Sequence, residues 1–403
     1  MQRKYNEVLK KPIVIIGAGK TGRGFLARLA FLSNMPVIFL DKDLTLVSNL
    51  NTRGQYRIDF FGERRDPLII KDFSAYAINS ESAEKAIASA DIVFTSVGAS
   101  NLGLLSAKIA KGLKNRDEYN CTNPLYIVTA ENAISPAKKL SAMIRNYLGD
   151  NALESAKFLT TEAAIFCTTI ENECDPLSIK SEDLDFLPYD AKPIGEILNI
   201  IHGAQAEYNF DRLLKRKIYT YNCASACIAY LGHLKKYTSF PEAANDKIIL
   251  SILHRLYKET GEAICKEYGY TELEQAEFAL NSLRKFQNYE IKDSIERNAR
   301  DVIRKLMPDE RIVGPAILMQ KHNIISIVLP IVYAAALFYR QESEFELISL
   351  LEKGGISCIL ENVSHISAES IFGEKVIEYY EVFNEFLRKD ADPINGLLQR
   401  GLE

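Results

Sequence analysis

The feature that most constrains this chain is a junction near its start. Four consecutive apolar residues, Ile13-Val-Ile-Ile16, run straight into Gly17-Ala-Gly19-Lys-Thr-Gly22 and then into a stretch with helical spacing. A strand, a GxGxxG turn and a helix in that order form the first unit of a dinucleotide-binding sheet. Each glycine has its own reason there. Gly17 permits the tight turn, Gly19 lets the backbone approach a pyrophosphate, and Gly22 allows the helix to pack closely on the strand. The helix start then offers unpaired N–H groups to the phosphates. The alternative, a glycine-rich turn without a ligand, is disfavoured by Asp41, which closes the next strand about twenty residues on, where a ribose-binding acid belongs. Its charge repels a 2′-phosphate, so NAD is expected rather than NADP, although Lys42 places a cation beside it. Val97-Gly98, after the apolar run Ile92-Val-Phe-Thr95, is expected to continue the dinucleotide channel.

Further short apolar runs at residues 37–40, 92–95 and 125–129 alternate with helix-period segments such as Arg23 to Ser33 and Leu104 to Leu113. This is the pattern of βαβ units around a parallel sheet covered on both faces. Residues 56–70 break it and read as a hairpin turning at Gly62-Glu63. From about Glu207 the chain reads as helix throughout, with apolar periodicity over Ile249–Tyr268, Thr271–Phe286, Asp293–Met307 and Gly373–Lys389. The expected architecture is an α/β Rossmann domain over residues 1–206, with a hairpin insertion, and a mostly α-helical catalytic domain over 207–403. The active site is expected in the cleft between them.

Composition excludes other classes. A net charge of -4 argues against a dedicated nucleic-acid or anionic-membrane binder. The seven cysteines show no CxxC or zinc-ribbon spacing and read as reduced thiols. The longest apolar stretch, Ile324 to Tyr339, is interrupted by Ser326 and Pro330 and is too short for a membrane span, so it reads as a buried helix. With no signal-peptide core at the start, a cytoplasmic location is expected. His254 and His322 have no partner at metal-ligand spacing, so they read as structural and no metal is expected.

Chemistry concentrates around Lys217-Ile-Tyr-Thr-Tyr-Asn222-Cys-Ala-Ser225. A lysine at the mouth of a long apolar segment can be desolvated, which lowers its pKa and suits it to general-base work. Equally, Lys217 can belong to a solvated Lys215-Arg-Lys217 cluster. Asn132 follows a predicted strand of the sheet and fits either a turn cap or an amide presented to the ligand crevice. Arg297, Arg300 and Arg304 fall at i, i+3 and i+7 of one predicted helix, with Lys305 beside them. Arg300 and Lys305 are candidates for a substrate phosphate, against the alternative of a solvated or ion-paired basic face.

At these residues the sequence resembles the polyol-specific long-chain dehydrogenases, the mannitol dehydrogenase family, and within it the members that act on mannitol 1-phosphate. The resemblance rests on Gly17-Ala-Gly-Lys-Thr-Gly22-Arg-Gly24-Phe25, Asp41, the Val97-Gly98 to Leu102 segment, Ile109 to Leu113, Glu131-Asn132, the lysine–asparagine signature and Ala229 to Gly232. Tyr268-Gly-Tyr270, Lys285-Phe-Gln-Asn288 and Glu296 to Leu306 extend it, so it covers essentially the whole chain. It implies metal-free, NAD-linked interconversion of a sugar alcohol, or its phosphate, with a ketose. In that scheme Lys217 is the general base, while Asn132 and Asn222 stabilise the developing alkoxide.

Two positions depart from the family. Ser225 stands where the signature has histidine; it is three residues from Asn222, so it should share that helix face. Glu162-Ala-Ala-Ile165-Phe166-Cys167 replaces a segment with an Asp-Arg pair, whereas Asp175-Pro176-Leu177 matches. A different polyol substrate, weak activity or an NAD-binding sensor each accommodate these changes. Hexuronate (tagaturonate or fructuronate) reduction is an alternative within the enzyme class. It would need a cation near Ile165-Phe166, and none lies nearby in sequence.

Overall fold

A computed structural model describes residues 11–63, 65–119, 121, 123–131, 135–149, 157–394 and 397. The chain divides into two compact units, Met1–Phe210 and Asp211–Glu403.

The first unit is built on β1 (Ile13–Ile16). All four residues are buried, with Ile13 and Ile15 in one apolar core and Val14 and Ile16 in another. Side chains alternate across a strand, so a strand without polar positions can exist only where both sheet faces are covered. After the glycine loop a π turn (Gly22–Leu26) leads into α1 (Ala27–Leu32). There follow β2 (Val37–Asp41), α2 (Leu44–Arg53), β3 (Tyr56–Phe60), β4 (Leu68–Ile70), β5 (Phe73–Ala77) and α3 (Glu81–Ser89). Next come β6 (Ile92–Thr95), α4 (Leu102–Lys114), β7 (Leu125–Thr129), α5 (Pro136–Leu148) and β8 (Phe158–Glu162). The main sheet runs β5-β2-β1-β6-β7-β8, all parallel. Chain direction across the sheet therefore reverses between β1 and β6, and ligands of doubly wound sheets sit beyond the strand ends at such a point.

Residues 56–70 form the expected hairpin, with Tyr56 opposite Ile70 and Ile58 opposite Leu68, turned through Phe61–Glu63 where Gly62 has φ 73°. The hairpin joins β9 (Thr169–Asn172) and β10 (Asp175–Ser181) in a second sheet of order β4-β3-β10-β9. Arg23, buried in the π turn, holds that sheet by donating to the carbonyls of Pro176 and Leu177 at 3.0 and 2.9 Å. A short parallel pair, β11 (Leu187–Asp190) and β12 (Ala204–Glu207), ends the unit.

The second unit is helical. α6 (Phe210–Lys217) continues through a π turn (Ile218–Asn222) into α7 (Cys223–Leu234). Around it pack α8 (Phe240–Ala244), α9 (Lys247–Tyr268), α10 (Glu272–Phe286), α11 (Ile295–Ala299) and α12 (Val302–Lys305). α13 (Val313–Lys321), α14 (Val328–Ala336), α15 (Phe345–Asn362) and α16 (Ile371–Arg388) complete it. α14 is buried along its whole length, which accounts for the longest apolar stretch; Ile325 ahead of it is exposed. Among the described residues no helix is long and apolar enough to cross a membrane.

One expected helix is two. The segment Asp293–Met307 breaks at Asp301, which adopts φ 64°, and the new helix is capped from elsewhere: the buried Glu344 carboxylate accepts the Asp301 and Val302 N–H groups at 2.7 and 2.9 Å. A carboxylate supplied by a distant segment satisfies the orphan donors of a helix start, a partner that local spacing cannot reveal. Arg297, Arg300 and Arg304 consequently do not share one helix face.

Candidate active site

In the first unit the glycines behave as the loop requires. Gly17 has φ 102°, and a side chain there would collide with the Ser96 carbonyl of the β6 loop. A Cβ on Gly22 would overlap the Gly17 carbonyl. Gly19 differs, since nothing lies within 4 Å of where its Cβ would be. Its lack of a side chain thus leaves open the space into which the loop faces, as a bound pyrophosphate needs. Asp41, at the end of β2, ties this loop in place. Its Oδ2 accepts the Ala18 N–H at 2.7 Å and its Oδ1 the Asp43 N–H at 3.0 Å. Each oxygen keeps a further lone pair for a ribose hydroxyl.

Across the switch point, Val97 and Gly98 donate their N–H groups to Glu131 at 2.9 Å each, one to either carboxylate oxygen. Thr95 Oγ1 donates to the same carboxylate at 3.2 Å. Gly98 takes φ 84°, so the β6 loop turns back on a conformation glycine tolerates and is locked by the carboxylate at the end of β7. Glu131 was legible only as half of a Glu-Asn pair. Asn132 itself lies outside the described residues. Phe166 and Cys167, which stand in the segment where the family has Asp-Arg, are buried. Arg28 reaches this segment, donating to Cys167 Sγ at 3.7 Å, and its guanidinium also donates to Ser181 Oγ and to the Glu182 and Leu184 carbonyls and pairs with Asp185.

In the second unit the key positions lie on one continuous helical path. Lys217 is 8% exposed, which decides against the solvated-cluster reading; Lys215 is the member that reaches out, to Asp309 at 3.0 Å. Burial, then the positive charges of Lys285 and Arg311, push the Lys217 amine down to about 7. Desolvation penalises the ammonium, and neighbouring cations add to it.

Lys217 and Asn222 are five residues apart. On an uninterrupted α-helix that spacing leaves them about 140° apart around the axis. The π turn between them closes i→i+5 bonds, such as Cys223 N–H to the Ile218 carbonyl. Residues i and i+5 are thereby stacked, and Lys217 and Asn222 come to one face. Ser225, three residues on, extends that face. From Cys223 to Gly232 every residue but Ser225 is buried, so the face opens at this serine. Its hydroxyl donates to Asn298 Oδ1 at 3.2 Å.

Lys305 is the second buried amine, 3% exposed, and is likewise lowered to about 7 by burial, then by Arg311 and Arg304. It donates to the Asn298 carbonyl and lies 5.7 Å from the Tyr230 ring centre. Asn298 therefore touches both Ser225 and Lys305, and Arg311 acts electrostatically on both lysines. The other basic residues are elsewhere engaged: Arg297 pairs with Asp293, Arg304 with Asp301 and Glu310. Arg300 is exposed. His322 pairs with Glu267 at 2.8 Å, and no group of His, Cys, Asp or Glu among the described residues is arranged to hold a metal ion.

Residues 11–182 match the mannitol dehydrogenase Rossmann domain and residues 209–370 the mannitol dehydrogenase C-terminal domain. Among similar proteins, the mannitol-1-phosphate 5-dehydrogenase of Anoxybacillus flavithermus is 30% identical over 88% of this chain and 95% of that protein. The mannitol-1-phosphate 5-dehydrogenase of Bacillus subtilis is 30% identical over 87% of this chain and 95% of that protein. In fold the chain is similar to Pseudomonas fluorescens mannitol 2-dehydrogenase, solved with NAD and D-mannitol (TM-score 0.74, 15% identity, 97% of this chain and 94% of that one). It is also similar to a D-sorbitol dehydrogenase (TM-score 0.69, 12% identity, 96% of this chain and 95% of that one).

Proposed function

The chain belongs to the mannitol dehydrogenase family, and on that premise we propose that it is an NAD-dependent oxidoreductase interconverting a sugar alcohol, or its phosphate, with the ketose. The observation that carries this reading is the pairing of a buried Lys217 with Asn222 on one face of a π turn. In the oxidative direction the neutral Lys217 amine takes the proton of the reacting secondary hydroxyl. Asn222 donates a hydrogen bond to that oxygen as negative charge develops on it, and Asn132 is assigned the same role from the family resemblance alone. NAD, when bound, supplies the hydride acceptor. Gly17, Gly19 and Gly22 shape its phosphate cradle, Asp41 takes the ribose hydroxyls and selects against a 2′-phosphate, and Val97 and Gly98 line the channel. In the reductive direction the same lysine, protonated, returns the proton.

Ser225 is assigned to substrate contact. It is shorter than the family histidine and carries no charge, and its bond to Asn298 leaves the substrate pocket neutral at that point. Lys305, and Arg300 more remotely, are assigned to an anionic end of the substrate.

The test follows NADH absorbance with purified protein against fructose 6-phosphate, fructose, tagaturonate and fructuronate, with mannitol 1-phosphate and other polyols in reverse. Saturable turnover abolished by Lys217→Ala is the expected result. Absence of turnover across the panel despite tight NADH binding would instead make the chain an NAD-binding regulator.

A further inference from the structure

The π turn raises a physical question. Each i→i+5 closure gives up the tighter i→i+4 geometry, so a π turn persists where the surroundings hold it. Here α9 and α10 both pack against the turn, and Gln275 of α10 bonds within it. Arg216, the residue before Lys217, donates Nε to Gln275 Oε1 at 2.9 Å and Nη2 to the Glu274 carbonyl at 2.6 Å. Its guanidinium lies 3.9 Å from the Tyr270 ring centre and 4.2 Å from that of Phe278. Thr220, inside the turn, accepts Gln275 Nε2 at 2.9 Å, and Tyr221 meets Phe278 edge to face at 4.9 Å. Gln275 and Thr220 are 4% and 1% exposed. One buried amide therefore grips the helical path both before the turn and within it. Relaxation of the turn to α geometry would rotate Thr220 about the axis relative to Arg216, breaking one end of a grip made between buried side chains. α10 is itself anchored next to Gln275 by a capping box between Thr271 and Glu274.

We propose that Gln275, acting through Thr220, is the positioning residue of this enzyme: it holds the π turn that sets Lys217 and Asn222 on one face. The inference rests on the base and alkoxide-stabilising roles given above to those two residues. Gln275 bonds Arg216 and Thr220 and is given no role at the reacting atoms or the coenzyme. Its effect passes entirely through the azimuth of the helix beyond Arg216.

The test is the isosteric change Thr220→Val, with Thr220→Ser as the conservative rescue and Gln275→Met as the second variant should the valine protein fold poorly. Thr220→Val is expected to lower kcat about tenfold or more with KM and NADH affinity nearly unchanged, because geometry is lost and binding is not. Its pH profile should shift, since the amine moves relative to its cationic neighbours, and Thr220→Ser should restore both. A crystal structure of Thr220→Val should show the turn relaxed. Parent-like kcat and pH profile in Thr220→Val, or a π turn kept intact in its crystal structure, overturns the positioning role. If Lys217→Ala is inactive in the same assay, that failure is confined to the clamp; if Lys217→Ala keeps its turnover, the base assignment falls and the clamp with it.

Discussion

Glu131 holds Gly98 beside the switch point of the sheet: its Oε2 accepts the Gly98 N–H while Oε1 accepts that of Val97. Two backbone donors of the β6 loop thus end on one carboxylate from β7. Replacing Glu131 by alanine removes the acceptor that orders both; Gly98 is exposed, so solvent can take its N–H and what is lost is the fixed conformation of the loop. NADH affinity, measured by fluorescence titration, should fall about tenfold or more. Glu131→Gln keeps one acceptor and should fall in between. Parent-like affinity in Glu131→Ala would remove the loop from the coenzyme site.

Asp41 makes two contributions, a negative charge and an acceptor for the Ala18 N–H. Asp41→Asn keeps the acceptor and removes the charge. It should therefore retain most NADH binding while narrowing the preference over NADPH, whereas Asp41→Ala should weaken both coenzymes. An unchanged NADH-to-NADPH affinity ratio in Asp41→Asn would show that discrimination lies elsewhere.

The depressed Lys217 amine carries two pH predictions. Oxidation needs it neutral, so kcat/KM for the polyol should fall below about pH 7 as it protonates, and ketose reduction should fall above that pH. Lys285→Gln removes one of the cations that depress it. The apparent pKa should then rise and the oxidative limb move to higher pH. A limb that stays put or moves downward would contradict the electrostatic assignment.

Stability should respond with a definite sign. An unfolded lysine titrates near its ordinary value of 10.5, and the folded one near 7. Between those values the unfolded chain binds more protons, so this group makes stability rise with pH across that window. Lys217→Met should accordingly stabilise the protein most at and below pH 7, by roughly 3–5 kcal/mol, with the gain fading toward pH 10. Denaturant melts at pH 6.5 and 9.5 check this; a pH-independent difference would mean the parent amine is charged when folded.

Arg300 is exposed, while the neighbouring arginines are ion-paired. If it meets a substrate phosphate, Arg300→Ala should raise KM for a phosphorylated substrate about tenfold and leave the unphosphorylated analogue nearly unaffected. Equal changes for the two substrates would leave Lys305 alone in that role.

Much of this protein was determined by its sequence alone. A strand of four apolar residues must be covered on both faces, and a GxGxxG turn after it, with Asp41 ending the next strand, specifies local geometry that few other arrangements satisfy. Periodicity likewise placed most of the helices, because an apolar stripe has to be buried. What the sequence could not decide depended on partners far along the chain. The break at Asp301 follows from Glu344, whose carboxylate caps a helix more than forty residues away. Whether Lys217 is solvated or buried followed from its packing in the helical unit, since desolvation is a property of surroundings and not of spacing. The five-residue spacing from Lys217 to Asn222 was visible from the start, but read as α-helix it separates them. Only the tertiary structure shows the wide turn, with Gln275 of another helix bonded to Thr220 inside it.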